Sequence, residues 1–196
     1  LKKSLADAAL GMLFRDARSY NRWAPEPVAE TTLRALYDLL KLGPTSVNCC
    51  PARFVFVASA PAKLKLLECV SAGNLVKVEQ APVTVIIGMD EKFYEKLPYL
   101  FPQKPEAASF FKDPAAAQVT MMRNATLQGA YLILAARALG LDCGPMSGFS
   151  NEKIDAAFFA GTSVKSNFIC ALGTGTTELL YPRNPRLPFE EACMLV

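Results

Sequence analysis

The run "PVTVIIGM", residues 82–89, constrains this chain more than any other stretch. It is apolar at nearly every position and rich in β-branched residues, so it reads as a strand. A strand with one wet face would alternate polar and apolar residues. This one does not, so it belongs in the middle of a sheet with cover on both faces. "RFVFVAS" (53–59) and "SNFICALGTG" (166–175) are further strands, and "DCGPMSGF" (142–149) reads as a short strand and turn.

The cover must come from helices. Leu5, Ala8, Ala9, Met12 and Leu13 recur at helical spacing and predict a first helix to about Phe14. A second spans about 29–42, with Leu33, Leu36, Tyr37 and Leu40 on one face and Gly43-Pro44 as its stop. "APAKLKLLECV" (60–70) reads as a helix, as does "NEKIDAAFF" (151–159) with Ser150 as its N-cap. The longest runs over about 115–139. Its stripe of Val119, Met122, Thr126, Leu127, Ala130, Tyr131, Leu134 and Ala138 is expected to face the core. No linker or repeat divides the chain, so residues 1–196 form one α+β domain with a few mixed strands. Residues 91–114, "EKFYEKLPYLFPQKPEAASFFKDP", form an aromatic, proline-rich insertion. A lid and a peripheral excursion are equally compatible with it.

With 52% hydrophobic and 20% charged residues, the chain carries enough apolar surface for a second subunit to cover some of it. A net charge of +3 without a basic cluster argues against nucleic acid. The apolar segment "GAYLILAARALGL" is broken by Arg137 and is too short for a membrane span. Asp7 interrupts the short basic and apolar start, so no secretory signal is expected and the cytoplasm is the expected location. The six cysteines show no zinc-ligand spacing, the adjacent Cys49-Cys50 included, and read mostly as buried apolar residues rather than metal ligands. The chain has no histidine. Histidine-based nucleophile schemes are therefore closed, and an enzyme of this composition needs a cofactor for its chemistry.

Four polar segments interrupt the regular pattern: "ARSYN" (17–21), "GPTSVN" (43–48), "GPMSGF" (144–149) and "PRNPR" (182–186). Arg18, Ser19 and Asn21 have the chemistry of a phosphate site, and Arg183 and Arg186 could add a second contact. Each arginine taken singly reads equally as a helix end or a solvated side chain. Gly148 permits a flat ring to approach the backbone, or marks an ordinary turn. Neither a dinucleotide fingerprint nor a P-loop is present.

In the order "ARSYNRW…PEPV", "GPTSVNCCPARF", "ARALGLDCGPMSGF" and "RLPFEEA", these segments resemble the flavin-dependent nitroreductase family over nearly the whole chain. "SGNLVKVEQAPVTVI", "FYEKLPYLFP", "DAAFFAGTSVKSN" and "RLPFEEACMLV" are most similar to its malonic semialdehyde reductase, or 3-hydroxypropanoate dehydrogenase, branch of pyrimidine breakdown. The resemblance implies a nitroreductase-like fold, a mainly antiparallel mixed sheet covered by helices. It also implies a homodimer with an exchanged C-terminal segment and noncovalent FMN between the subunits, reduced by NADH or NADPH. On it, Arg18, Ser19 and Asn21 hold the phosphate and ribityl end, with Asn21 where many members carry a cation. Pro44, Thr45, Ser46 and Asn48 contact the ribityl chain and ring. Pro145, Met146, Ser147 and Gly148 lie at the ring face. Arg186, with Arg183 beside it, holds the phosphate. Cys50 and Ala52 replace a common glutamine and tryptophan of the family. A substrate carboxylate would find Arg53, Arg123 or an insertion lysine, and Phe93, Tyr94, Tyr99 and Phe101 would wall a lid. A broad nitroaromatic or quinone reductase, and a flavin carrier or sensor without turnover, are the alternatives.

Overall fold

The computed structural model describes residues 3–196; the first two residues of the basic start lie outside it. Four strands, β1 (Ala52–Val57), β2 (Val83–Asp90), β3 (Asp142–Met146) and β4 (Val164–Gly173), form one sheet in the order β1-β2-β4-β3. Every neighbouring pair is antiparallel. The expected mixed character reduces to an isolated parallel bridge, Ser19 to Cys143, beside β3. The α-helices are α1 (Asp7–Leu10), α2 (Glu30–Leu40), α3 (Ala60–Leu67), α4 (Leu75–Gln80), α5 (Leu97–Leu100), α6 (Pro114–Ala138), α7 (Asn151–Phe158) and α8 (Phe189–Ala192).

All eight residues of β2 are buried, and its alternate side chains feed two cores. Val83, Val85 and Ile87, with Cys170 and Leu172 of β4, pack against Leu36 and Leu40 of α2 and Leu132, Ala135 and Ala136 of α6. Ile86, with Ile169 and Ala171, packs on the other face against Leu66 of α3, Val78 of α4 and Ile154 of α7. The result is helix, sheet, helix, as the unbroken apolar run requires. Ser150 caps α7 as expected, its side chain accepting from the Lys153 N–H.

Three expectations need correction. The first helix stops at Leu10 and widens into a π-turn over Gly11–Arg15, where Asp16 N donates to Gly11 O at 2.9 Å. The insertion is no loose excursion. Short helical turns at Phe93–Lys96, Leu97–Leu100 and Pro105–Phe111 fold it against α6 and β1. Phe93, Leu97 and Ala107 are fully buried in a third core with Cys49, Met89 and Met121.

The third correction concerns α6. The residues that meet the rest of the chain are Met121, Asn124, Ala125, Gln128, Gly129, Leu132, Ala135 and Ala136. The expected stripe points outward: Val119, Met122, Leu127 and Tyr131 keep between 37% and 54% of their surface exposed. Close approach to the sheet explains the choice. A Cβ at Gly129 would stand 2.5 Å from the Phe168 ring, so the point of closest approach takes a glycine, with Ala125, Ala135 and Ala136 on the same face. Bulky residues dominate a periodicity count, and here they sit on the opposite side.

Leu132→Ala is expected to lower the unfolding free energy by about 2–5 kcal/mol, measured by urea denaturation. This residue lies fully buried between α6 and the sheet.

Candidate functional site

At the free edge of β3 the chain builds an arginine-lined cavity of about 480 Å³. The Ser19–Cys143 bridge and the bond from Tyr20 N to Cys143 O (3.1 Å) set the segment after the π-turn against β3. That places Arg18, Ser19 and Asn21 on one wall, and the tail brings Arg183 and Arg186 to another. The same side chains fasten the tail. Arg18 donates to the Tyr181 carbonyl. Asn21 Nδ2 donates to Leu179 O at 3.0 Å. Arg183 Nη2 donates to Arg15 O and Ala17 O at 2.6 and 2.8 Å. Arg186 bonds only within its own turn, to Asn184 O and Pro185 O.

A fourth arginine, Arg137 from the last turn of α6, also lines the cavity. None of the four forms an ion pair among the described residues. Four guanidinium groups around one cavity without a carboxylate suit an anion of more than one charge, such as a phosphate monoester. Sequence reasoning missed Arg137 because it stands inside a helix, and only the fold turns it toward the other three.

β3 carries the next segment away from this cavity. Pro145 and Ser147 are exposed, whereas Met146 is buried in the core beside Trp23 and offers a ligand backbone only. Gly148 does permit a close approach, but the group that takes it is Asn74. The Asn74 Nδ2 donates to Gly148 O at 2.9 Å, and a Cβ at Gly148 would come within 2.6 Å of that nitrogen. Lys77, one helical turn on, reaches across to Gly144 of β3. It is half-buried, makes no hydrogen bond or ion pair among the described residues, and burial lowers its pKa, with Arg22 adding to the effect. Asn74 and Lys77 lie in the segment "GNLVKVEQAPVTVI" that carries the resemblance, which gave neither a role; their interest comes from β3.

The loop Pro44–Asn48 lies elsewhere in the same chain. It enters β1, at the far edge of the sheet from β3, about 14 Å away at three strand spacings. It is pinned to α6 through Ser46 N, which donates to Asn124 Oδ1 at 2.8 Å. Asn124 and Arg137 are separated by about 20 Å of helix. One chain therefore unites Arg18, Ser19, Asn21, Arg183 and Arg186 and runs Pro145–Gly148 outward from them. It does not bring in Pro44, Thr45, Ser46 and Asn48.

That loop is strained. Val47, Asn48 and Cys50 have φ of 46°, 52° and 38°, the left-handed region that a β-branched residue such as Val47 rarely enters. The conformation is held by Asn124 and by Asn48 Nδ2, which donates to Leu100 O at 2.7 Å. Cys50 N, which donates to Thr45 Oγ1 at 3.2 Å, closes the turn. Pro44, Ser46 and Asn48 are exposed. Cys49 is buried beneath them, and that burial pushes its thiol up to about 11.

The remaining candidates separate clearly. Arg53 is engaged: Nη2 donates to Asp90 Oδ2 at 2.6 Å, and Nη1 to the carbonyls of Cys50 and Ala52. Asp90 is held in turn by Ser163 Oγ and Lys92 N, so Arg53 belongs to a structural network. Arg123 is exposed on α6 and unpaired among the described residues. Phe93 is fully buried and cannot wall a lid; Phe101 packs beside it. Tyr94 lines a cleft of about 330 Å³ with Phe111 and Met121, and Tyr99 is 84% exposed.

Fold and cavity define a three-layer α+β domain with an arginine-lined cavity at one sheet edge. The Nitroreductase family model matches residues 15–176. A Ralstonia pickettii protein, provisionally named NADH dehydrogenase/NAD(P)H nitroreductase, is 56% identical over 193 residues, 97% of this chain and 98% of that one. Two solved structures share the fold. One, from Exiguobacterium sibiricum, is provisionally called a nitroreductase and was solved in complex with FMN. It has a TM-score of 0.85 at 19% identity and covers both chains fully. The other, provisionally an NAD(P)H:FMN oxidoreductase from Staphylococcus epidermidis, has a TM-score of 0.85 at 18% identity, covering 100% of this chain and 99% of that one. The chain belongs to the nitroreductase family and is a flavin-dependent oxidoreductase.

Two outcomes follow from the loop. Asn124→Ala leaves the Ser46 N–H without its partner; a loss of about 1–3 kcal/mol in urea unfolding is expected, with faster protease cleavage within residues 43–50. Iodoacetamide at pH 8, followed by peptide mass spectrometry, should modify exposed Cys193 first and half-buried Cys50 more slowly. The buried Cys49, Cys69, Cys143 and Cys170 should react only in denaturant.

Proposed function

We propose that the chain is an FMN-dependent NAD(P)H oxidoreductase that reduces malonic semialdehyde to 3-hydroxypropanoate. The observation that carries the cofactor is the cavity of four arginines without a carboxylate partner. Its donor set fits the phosphate of FMN, and one of its buried donors, Arg137 Nε, has no acceptor. The names of the Ralstonia relative and of the two structures that share the fold, which give NAD(P)H and FMN, support the same reading. The substrate rests on the likeness of "SGNLVKVEQAPVTVI" and "RLPFEEACMLV" to the malonic semialdehyde reductase branch.

When bound, FMN supplies the hydride chemistry that a chain without histidine lacks. The protein binds and orients. Arg18, Ser19, Arg183 and Arg186 hold the phosphate end, with Asn21 fixing the tail beside them. Pro145, the Met146 backbone, Ser147 and Gly148 extend along the ring, with Asn74 bracing that turn. Lys77 provides a cation beside β3, suited to offsetting negative charge on a reduced ring. The proton that completes reduction comes from water or a nearby hydroxyl.

The loop Pro44–Asn48 completes the site only from a second copy, so the working unit is a homodimer. Two features support it: the exposed face of α6 and the apolar tail end, where Met194, Leu195 and Val196 have no cover in their own chain. In that dimer Arg123 is the arginine left free for a substrate carboxylate, since Arg53 is engaged by Asp90. Six free thiols suit a reducing compartment, and we place the protein in the cytoplasm. No helix among the described residues is long and apolar enough to cross a membrane.

A second reading, a broad nitroaromatic or quinone reductase, is favoured by the nitroreductase names of the relatives. A flavin carrier or sensor is the reading from another class. The purified protein should be yellow, sediment as a dimer, and oxidise NADH or NADPH faster with malonic semialdehyde than with a nitroaromatic or a quinone. The reverse order of acceptors supports the second reading. Reduction without acceptor-dependent reoxidation supports the carrier. Colourless protein that takes up no FMN overturns the flavin site.

A further inference from the structure

We infer that Arg137 is a phosphate-selecting residue: from the floor of the arginine cavity it makes the chain bind a phosphorylated flavin in preference to the same flavin without phosphate. The inference rests on the FMN reading above and concerns a residue outside the four short polar segments, to which the resemblance gave no role.

Its position has an ordinary explanation that accounts for only part of it. An arginine in the last turn of a helix stabilises the helix dipole, and Nη1 donates to Leu13 O at 2.9 Å. That bond ties α6 to the π-turn and uses one of five N–H donors. The Nε–H remains. It is buried and has no acceptor among the described residues. A buried donor without an acceptor costs free energy, and native chains rarely keep one unless a ligand or water completes it. Asp142, which feels Arg137's charge, does not supply that acceptor; its carboxylate accepts from the Gly175 N–H at 2.9 Å.

The other three arginines differ in kind. Arg18, Arg183 and Arg186 come from the loop after the π-turn and from the exposed tail, and two of them spend donors fastening that tail. Arg137 stands on a 25-residue helix packed against the sheet and is anchored there by its bond to Leu13 O. A guanidinium that lines a cavity and is anchored at one donor discriminates better than an unanchored one, because an occupant that lacks the matching acceptor leaves its remaining donors unpaired. Riboflavin ends in a hydroxyl where FMN carries a phosphate dianion. Riboflavin would leave Arg137 unsatisfied; FMN would not.

The test compares FMN and riboflavin binding to the flavin-free full chain by quenching of flavin fluorescence, for wild type, Arg137→Gln and Arg137→Lys. The expected result is at least a tenfold rise in the FMN Kd for Arg137→Gln, with the riboflavin Kd unchanged. Arg137→Lys, which keeps the charge and the helix end, should show a smaller rise for FMN alone. It also serves where the glutamine variant fails to fold, as judged by its melting curve. An equal loss for both flavins would show that Arg137 only holds the Leu13 segment in place, and would overturn the inference. Unchanged FMN binding in both variants would overturn it as well while leaving the flavin reading intact. Wild-type protein that binds neither flavin overturns both.

Discussion

Burial of β2 on both faces is the constraint from which the other features derive. Once Val83, Val85 and Ile87 point one way and Thr84 and Ile86 the other, neither face can be left to solvent. Helices α2 and α6 must close one side, and α3, α4 and α7 the other. The flanking strands then become edges, β1 on one side and β3 on the other. The β3 edge receives three of the polar segments and the β1 edge the fourth. The arginine cavity forms where the chain before α2 meets β3, and the strained loop forms where the chain after α2 enters β1.

Helix α6 is the second organising element because it touches both edges. Its buried polar residues are used on the backbone of the loop side: Asn124 accepts from Ser46 N, and Gln128 Oε1 accepts from Ala52 N at 2.9 Å. Its last turn delivers Arg137 to the arginine side. A single rigid helix thus sets the separation between two regions that would face one ligand only across a pair of subunits. The outward face of the same helix carries the bulky apolar residues that such a pairing would cover.

The sequence makes the strands legible because β-branched runs and their double-sided burial leave a direct pattern. The capped helix α7 is legible for the same kind of reason: Ser150 and its spacing are local signals. The facing of α6 is not, since two apolar faces compete within it and the choice depends on how closely the helix can approach Phe168. Arg18, Ser19, Arg183 and Arg186 could be read from loop chemistry and from resemblance. Arg137, Asn74 and Lys77 stand in segments that carry the resemblance yet took no role from it, because each sits within or beside a helix where no local signal sets it apart. Phe93 misleads for the opposite reason: an aromatic in a proline-rich stretch suggests a lid, and its burial at 0% exposure belongs to long-range packing.

The left-handed loop over Val47–Cys50 has a consequence for how this molecule ages under stress. Its backbone is kept in costly conformations by a few bonds, chiefly to Asn124 and to the Leu100 carbonyl. Those anchors lie on α6 and at the rim of the insertion, not in the sheet. Because neither anchor is a sheet bond, the loop can relax while the pairing of β1 with β2 stays intact. The chain would then pass through a state with an intact sheet and a slack loop, so that loss of competence precedes melting and reverses on cooling.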